Sequence, residues 1–258
     1  MFSMATHVVI PARYASSRLP GKPLALINGL PMIVHVAALA SNSIADDVVV
    51  AVDDTRVLDA VLSAGYKGLM TRVDHPSGSD RVMQIADEMG WDGDDIVINI
   101  QGDEPLLPPS IVNDLFAAML TSSDVEMATL SEPITNSRDF LDANVVKVVV
   151  GDGRRAINFS RAPIPYPRQA MHDEKLLSSF LQSGVARRHI GIYAFRVSGL
   201  RTFVNLGESN LERIEKLEQL RWIEAGKNLL VLDVNQAVPG GVDTPEDLAR
   251  VQKEFVNG

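Results

Sequence analysis

None of the 258 residues is cysteine, which excludes disulfides, thiolate metal sites and a thiol nucleophile. No apolar run approaches the length needed to span a bilayer. Met1 leads directly into His7-Val8-Val9-Ile10, without the basic start, apolar stretch and small-residue cleavage site of a secretory leader. A soluble, cytoplasmic protein is therefore expected. Net positive charge is also lacking: 24 basic side chains face 33 acidic ones, for a net charge of −9. That balance argues against nucleic acid or an anionic membrane surface as partner. Neither Gly-x-x-x-x-Gly-Lys-[Ser/Thr] nor Gly-x-Gly-x-x-Gly occurs. Internal repeats, low-complexity tracts and linkers are missing too, so residues 1–258 read as a single domain, and 46% hydrophobic residues suffice for its core.

Short apolar runs alternate with helical patterns in the first half, the signature of strand–helix–strand units and a mainly parallel α/β sheet. The expected strands are His7–Ile10, Val48–Val52, Gly68–Met70 and Ile96–Ile100; the expected helices are Pro31–Ser41, Arg56–Ala64, Ser79–Met89 and Pro109–Met119. In such a sheet the ligand lies at the carboxyl ends of the strands. After about residue 125 the pattern changes. Val145–Val150, Gly151-Asp152-Gly153 and Ala156–Phe159 read as a hairpin, which adds antiparallel structure. Arg168–Gly184 is polar and aperiodic and reads as a mobile loop. His189–Phe195 returns to strand character, Leu211–Ala225 reads as one strong helix, and Asp247–Phe255 as a closing one.

The first strand breaks into a loop holding Arg13, Arg18 and Lys22 among Ser16, Ser17 and Gly21, stiffened by Pro20 and Pro23. Three cations among small residues past a strand suit a polyphosphate, although a solvated basic loop has the same composition. The strand Ile96–Ile100 runs into Gln101-Gly102-Asp103, so Asp103 sits where the sheet delivers functional groups. It reads either as a magnesium ligand or as a turn former or cap before Pro108-Pro109. Gly102 allows close approach of a ligand to the backbone. Asp243 follows Gly240-Gly241 and precedes a helix, where Asp243 or Thr244 serves as N-cap; with Asp103, it makes a carboxylate pair able to hold one metal. Asp74–Arg81 offers hydroxyls and a helix start at Ser77 or Ser79 suited to a base or sugar, and Asp54 reads as a cap. His189 and Tyr193 share a strand face, as buried structure or as polar pocket lining. The charges of Leu211–Arg221, Glu218 among them, read as a solvated helix face.

These blocks, with Phe159-Ser160-Arg161-Ala162-Pro163-Ile164-Pro165, His189–Ala194, Leu217–Arg221 and Gly241–Leu248, occur in order over nearly the whole chain. So arranged, they closely resemble the 3-deoxy-D-manno-octulosonate (Kdo) cytidylyltransferases, or CMP-Kdo synthetases, of the sugar nucleotidyltransferase family. The resemblance implies a Rossmann-like nucleotidyltransferase fold: a mixed, mainly parallel sheet flanked by helices, with an antiparallel dimerisation segment in the second half. Residues 1–125 would mainly bind nucleotide; 126–258 would supply the acceptor site, the dimer segment and the closing metal-site helix. It implies transfer of CMP from CTP to Kdo, with release of pyrophosphate, for lipopolysaccharide biosynthesis by a homodimer. By motif position Arg13, Arg18 and Lys22 would bind the CTP phosphates, and Ser77, Ser79 and Gln101 the cytosine or ribose. Asp103 and Asp243 would hold Mg²⁺, while Arg161, His189, Tyr193, Glu218 and Gln219 would form the Kdo site, with Arg161 facing its carboxylate. Arg13, Lys22, Asp103 and Asp243 would be the catalytic group. Serine stands at position 79 where the motif commonly has threonine. Alternative expectations are a Kdo relative such as the 8-amino sugar as acceptor, a sugar 1-phosphate as acceptor, and a non-catalytic nucleotide-binding regulator.

Overall fold

The computed structural model describes residues 4–234 and 237–257. The chain forms two compact units, one of residues 1–123, 192–201 and 238–258, the other of residues 124–191 and 202–237. In chain order the first unit opens with β1 (Thr6–Ala12), the short strands β2 (Leu26–Ile27) and β3 (Leu30–Pro31), α1 (Met32–Ser41), β4 (Asp47–Val52) and α2 (Thr55–Ser63). It continues through β5 (Gly68–Met70), α3 (Gly78–Met89), β6 (Ile96–Asn99) and α4 (Pro109–Thr121). The second unit begins with β7 (Met127–Pro133), α5 (Ser137–Leu141), β8 (Lys147–Val150), β9 (Ala156–Ser160) and α6 (Glu174–Gln182). Strand β10 (Arg187–Arg196) leads back into the first unit and α7 (Val197–Asn205) out of it again. Helices α8 (Asn210–Glu215) and α9 (Leu220–Glu224) and strand β11 (Leu230–Asp233) complete the second unit, and α10 (Pro245–Asn257) the first.

In the first unit β6, β1, β4 and β5 are parallel neighbours in that order, with Val9 opposite both Val49 and Asn99. The end of β10 joins antiparallel to β6, Tyr193 opposite Asn99. All seven residues of β1 are buried, as are Val49–Val52 and Ile96–Asn99. Continuous apolar runs of this kind are what a sheet covered on both faces requires. The parallel order brings the ends of β1, β4 and β6, hence Arg13, Asp53 and Gln101–Asp103, to one edge. Ile27, Met32, Val242 and Val251 form a buried cluster that anchors α10 beside that edge. Each such side chain contributes about 1.5–3 kcal/mol on burial.

In the second unit β7 lies between β11, its parallel partner, and β10. β8 and β9 form the expected antiparallel hairpin, with a register shift at Val149/Val150 and a positive-φ Gly153 in the turn. Two expectations are corrected here. Within Arg168–Gly184 lies a helix, α6, because Asp173 caps it through two backbone N–H groups (2.9 and 3.0 Å) and it buries Leu177 and Leu181 beside Ile134 and Phe140. The single helix Leu211–Ala225 is two: α8 opens on a Ser209/Glu212 capping box and stops at Lys216, whose φ of 53° is left-handed.

Candidate active site

The first loop is tied at its start to the end of β4. Asp53 at the end of β4 accepts the Tyr14 N–H at 2.9 Å through Oδ1, and Oδ2 accepts from the fully buried Arg81 at 3.3 Å. The start of the loop is thereby tied to α3. Arg13 reaches the same region, donating through Nη2 to the His75 carbonyl at 2.6 Å. Ser77 is the N-cap of α3: its Oγ accepts the Asp80 N–H and donates to Asp80 Oδ2 at 2.6 Å. With its hydrogen so committed, that hydroxyl has only acceptor capacity left for a ligand. Ser79 is buried in the first turn of α3, and the Gln101 amide lies on the side of Gly78, on which a Cβ would come 3.7 Å from Gln101 Nε2. Asp54 caps α2, as its position before Thr55-Arg56 predicts.

Asp103 and Asp243 meet at one cation. Lys22 Nζ donates to Asp103 Oδ2 and, at 3.0 Å, to Asp243 Oδ1, while Arg18 Nη2 lies 3.1 Å from Asp243 Oδ2. Thr244, not Asp243, is the side-chain cap of α10: its Oγ1 accepts the Asp247 N–H at 3.2 Å, and Asp247 Oδ2 accepts in return from the N–H groups of Thr244 and Asp243. That division of labour leaves the Asp243 carboxylate to the cations. Nor is Asp103 a helix cap, since α4 starts after Pro108 with no side-chain cap. Its carbonyl accepts the Val242 N–H at 2.8 Å, which fixes the two aspartate segments against each other. Both sides of this seam are packed closely against a glycine. A Cβ on Gly241 would sit 3.0 Å from the Asp103 carbonyl oxygen, and one on Gly102 3.0 Å from that of Pro11. The close approach that Gly102 permits is thus to the β1 backbone. Burial alone would lower the Lys22 pKa, but Asp103 and Asp243 more than offset it, and the ammonium is held above its ordinary value.

Of the remaining candidates, Tyr193 belongs to the first unit and Arg161, His189, Glu218 and Gln219 to the second. Arg161 directly follows β9 and holds the end of α8. Its Nε donates to the Glu215 carbonyl at 2.6 Å and Nη1 to the Ala143 carbonyl at 3.0 Å. Glu215 accepts the Arg161 backbone N–H at 2.8 Å and the Ser160 hydroxyl at 2.6 Å. His189 stands edge-on to Phe159, with Nε2 2.9 Å from Thr129 Oγ1 and Nδ1 3.5 Å from Gln219 Nε2. Gln219 donates to Nδ1, His189 donates from Nε2, and the Thr129 hydroxyl passes its own hydrogen to the Ile190 carbonyl (3.1 Å). This order fixes a neutral imidazole with its proton on Nε2. Burial, reinforced by the nearby Arg188 charge, pushes its pKa down to about 3. Glu218 lies in the turn between α8 and α9, its carbonyl accepting the Arg221 N–H at 3.2 Å.

Some residues that organise these sets carry no sequence signal of their own. The charged run Leu211–Arg221 is not simply a solvated face: Glu212 and Arg221 form a buried pair, and Glu215 faces Ser160 and Arg161. Ser209-x-x-Glu212 is the one local motif there that announces a helix start. Lys147 and Arg81, both fully buried, look in sequence like any other basic residue.

Residues 7–229 match the cytidylyltransferase family. The chain is 46% identical over 252 residues to a 3-deoxy-manno-octulosonate cytidylyltransferase of Alcanivorax borkumensis, covering 98% of this chain and 99% of that one. It is 48% identical over 252 residues to the protein of the same name from Pseudomonas fluorescens, covering 97% and 98%. Among solved structures it superimposes on CMP:2-keto-3-deoxy-manno-octonic acid synthetase complexed with CTP, with a TM-score of 0.89, 41% identity and coverage of 98% and 99%. A cytidylyltransferase from Leptospira borgpetersenii, 16% identical with a TM-score of 0.63 over 99% of this chain and 88% of that one, shares the fold. On this similarity the chain belongs to the cytidylyltransferase family, among the 3-deoxy-manno-octulosonate cytidylyltransferases.

Proposed function

We propose that this enzyme transfers the CMP group of CTP to 3-deoxy-manno-octulosonate, releasing pyrophosphate. The observation that carries the reading is the meeting of Lys22 and Arg18 with Asp103 and Asp243 at the carboxyl edge of a parallel sheet, in a chain of this family. Arg13, Arg18 and Lys22 bind the triphosphate. Ser77, Ser79 and Gln101 contact cytosine or ribose, with Ser77 as acceptor. Arg161 takes the acceptor's carboxylate, and His189, Tyr193, Glu218 and Gln219 its hydroxyls; the neutral His189 adds no charge to that set.

Asp103 and Asp243 hold magnesium. The ion uses one or two protein carboxylates and completes its shell with water and phosphate oxygens. Two carboxylates that already share a cation meet that demand, and among the described residues no third acidic, histidine or cysteine ligand joins them. When bound, the metal neutralises triphosphate charge and makes the acceptor hydroxyl more acidic. The anomeric hydroxyl oxygen bonds to the α-phosphorus, the bond from that phosphorus to the bridging oxygen breaks, and pyrophosphate leaves with it; the hydroxyl proton passes to solvent. Lys22 and the arginines stabilise the charge that builds on the phosphate oxygens, and no covalent enzyme intermediate is needed.

A cytoplasmic homodimer that supplies activated sugar for lipopolysaccharide completes the reading. No described helix is long and apolar enough to cross a membrane. β9 pairs with β8 and is held at its start by the Ala156 N–H, which donates to the Leu229 carbonyl at 2.9 Å; beyond that Ile157 is 58% exposed, a patch suited to a second copy. Purified protein given CTP, 3-deoxy-manno-octulosonate and Mg²⁺ should release pyrophosphate and form the CMP-sugar. Turnover of a sugar 1-phosphate in place of the keto acid would overturn the assignment, and full activity in Asp103→Asn would remove Asp103 from the metal site.

A further inference from the structure

Lys147 lies on β8 with no solvent exposure, yet it carries a charge. Its ammonium donates to three backbone carbonyls, Asp142 at 2.8 Å, Val145 at 2.7 Å and Arg161 at 2.6 Å, which uses all three of its N–H bonds. An apolar side chain would fill the same space without the desolvation cost of a buried ammonium. What only a three-fold donor does is tie the 142–145 loop to the backbone of Arg161.

That tie bears on the guanidinium. Arg161 Nη1 donates to the Ala143 carbonyl, in the middle of the loop that Lys147 gathers. On the other side Glu215 takes the Arg161 backbone N–H with its carboxylate and Nε with its carbonyl, and the Lys216 carbonyl lies 3.5 Å from Nη2. Of the five guanidinium N–H bonds, three are directed at carbonyls and, among the described residues, two remain, one on each terminal nitrogen. Two such bonds are what a carboxylate takes in a bidentate pair.

We propose that Lys147 is a positioning residue of the acceptor site: by fixing the Ala143 loop and the Arg161 backbone it sets where Arg161 presents its last two N–H bonds to the acceptor's carboxylate. This rests on the reading of Arg161 as the carboxylate-binding residue. Neither Lys147 nor its carbonyls touch the sugar in this scheme, so its removal acts on recognition of the acid and spares CTP.

The test compares 3-deoxy-manno-octulosonate with its C1 carboxamide, with Lys147→Met and Arg161→Met measured beside the parent enzyme. In Lys147→Met the preference in kcat/KM for the acid over the amide should fall by about tenfold, the scale of a charge-assisted hydrogen bond. KM for CTP should be unchanged; a general loss of folded enzyme would lower kcat for acid and amide alike and leave their ratio, which the test reads, intact. If Arg161→Met keeps the preference, the reading of Arg161 fails whatever Lys147→Met does. Should Arg161→Met lose it and Lys147→Met keep it, Lys147 is not a positioning residue. Should Lys147→Met show no cooperative melt, Lys147→Arg decides: it retains the charge but cannot direct one compact ammonium at the three carbonyls, so part of the preference should be lost, and full retention overturns the proposal.

Discussion

Lys22 donates at once to Asp103 and Asp243, residues 81 and 221 positions further along the chain. The relationship has a thermodynamic consequence. The ammonium occupies the carboxylates proposed for magnesium, and those carboxylates occupy a cation proposed for the triphosphate. On that proposal nucleotide and metal would relieve each other's competition: phosphate oxygens would draw Lys22 away and free both carboxylates for the metal.

Lys22→Met should accordingly tighten Mn²⁺ binding in the absence of nucleotide, because the two carboxylates lose their internal counter-ion. The same change should cost on the order of 10²–10³ in kcat, as the loss of a placed charge stabiliser does. Calorimetric Mn²⁺ titration of the nucleotide-free protein checks the first outcome, and unchanged metal affinity would show that Lys22 and the metal do not compete.

Gly241→Ala should impair catalysis while leaving most of the fold. The new methyl would stand 3.0 Å from the Asp103 carbonyl oxygen and 2.8 Å from Glu104 Oε1. The glutamate can swing away; the backbone carbonyl cannot, so the segment carrying Asp243 ahead of α10 must shift from Asp103. A displacement of this kind is felt in positioning before it is felt in stability. Expected are weaker metal binding and a reduced kcat with a melting temperature close to that of the parent; parental kinetics would remove the packing argument.

How much of this was legible in sequence depends on the range of the interaction. Asp54, Ser77 and Thr244 cap their helices by bonds spanning two or three residues, so local pattern announces them. The parallel strands announced themselves too, because full burial leaves Val49–Val52 and Ile96–Ile98 uninterrupted. Helix α6 was hidden because its polar face dominates the composition, although Asp173 and the Leu177/Leu181 pair mark it. Nothing local marks Lys147, whose role comes from three carbonyls, one of them 14 residues away. The break at Lys216 likewise has a distant partner: Arg161, 54 residues upstream, donates to the Glu215 carbonyl at the end of α8. Charges that look alike along a helix are separated only when the partner segment is in place.

The buried Glu212–Arg221 pair makes that distinction measurable. Arg221 Nε donates to Glu212 Oε2 at 2.8 Å, and Oε2 also accepts the Ser209 N–H at 3.1 Å, so one carboxylate serves a cap and an ion pair. Arg221→Met leaves Glu212 without its cation and should destabilise by about 3–5 kcal/mol. Glu212→Gln/Arg221→Met, which removes both charges, should recover part of that loss. Urea denaturation of the two variants reads the difference; a single variant no less stable than the double one would mean that a stranded Glu212 charge is not the cause of the loss.

His189 gives stability a pH dependence whose sign follows from its environment. Its pKa in the folded protein is pushed down to about 3 by burial and by Arg188, below the ordinary value of 6.5. Between these values the unfolded chain binds a proton that the folded one does not, so stability falls as pH is lowered and is restored as it rises through 6.5. The slope approaches about 1.4 kcal/mol per pH unit, or about 2 kcal/mol between pH 7 and pH 5. Carboxylates titrate at the lower end of that range, so the measurement is a difference between parent and His189→Asn, which keeps a polar group beside Thr129 and Gln219. The variant should lose stability at pH 7, where the neutral ring packs on Phe159, and show a flatter decline toward pH 5. Parallel curves for the two proteins would mean that the ring takes up its proton in the folded state, and the neutral tautomer assigned from the Gln219–His189–Thr129 chain would then be wrong.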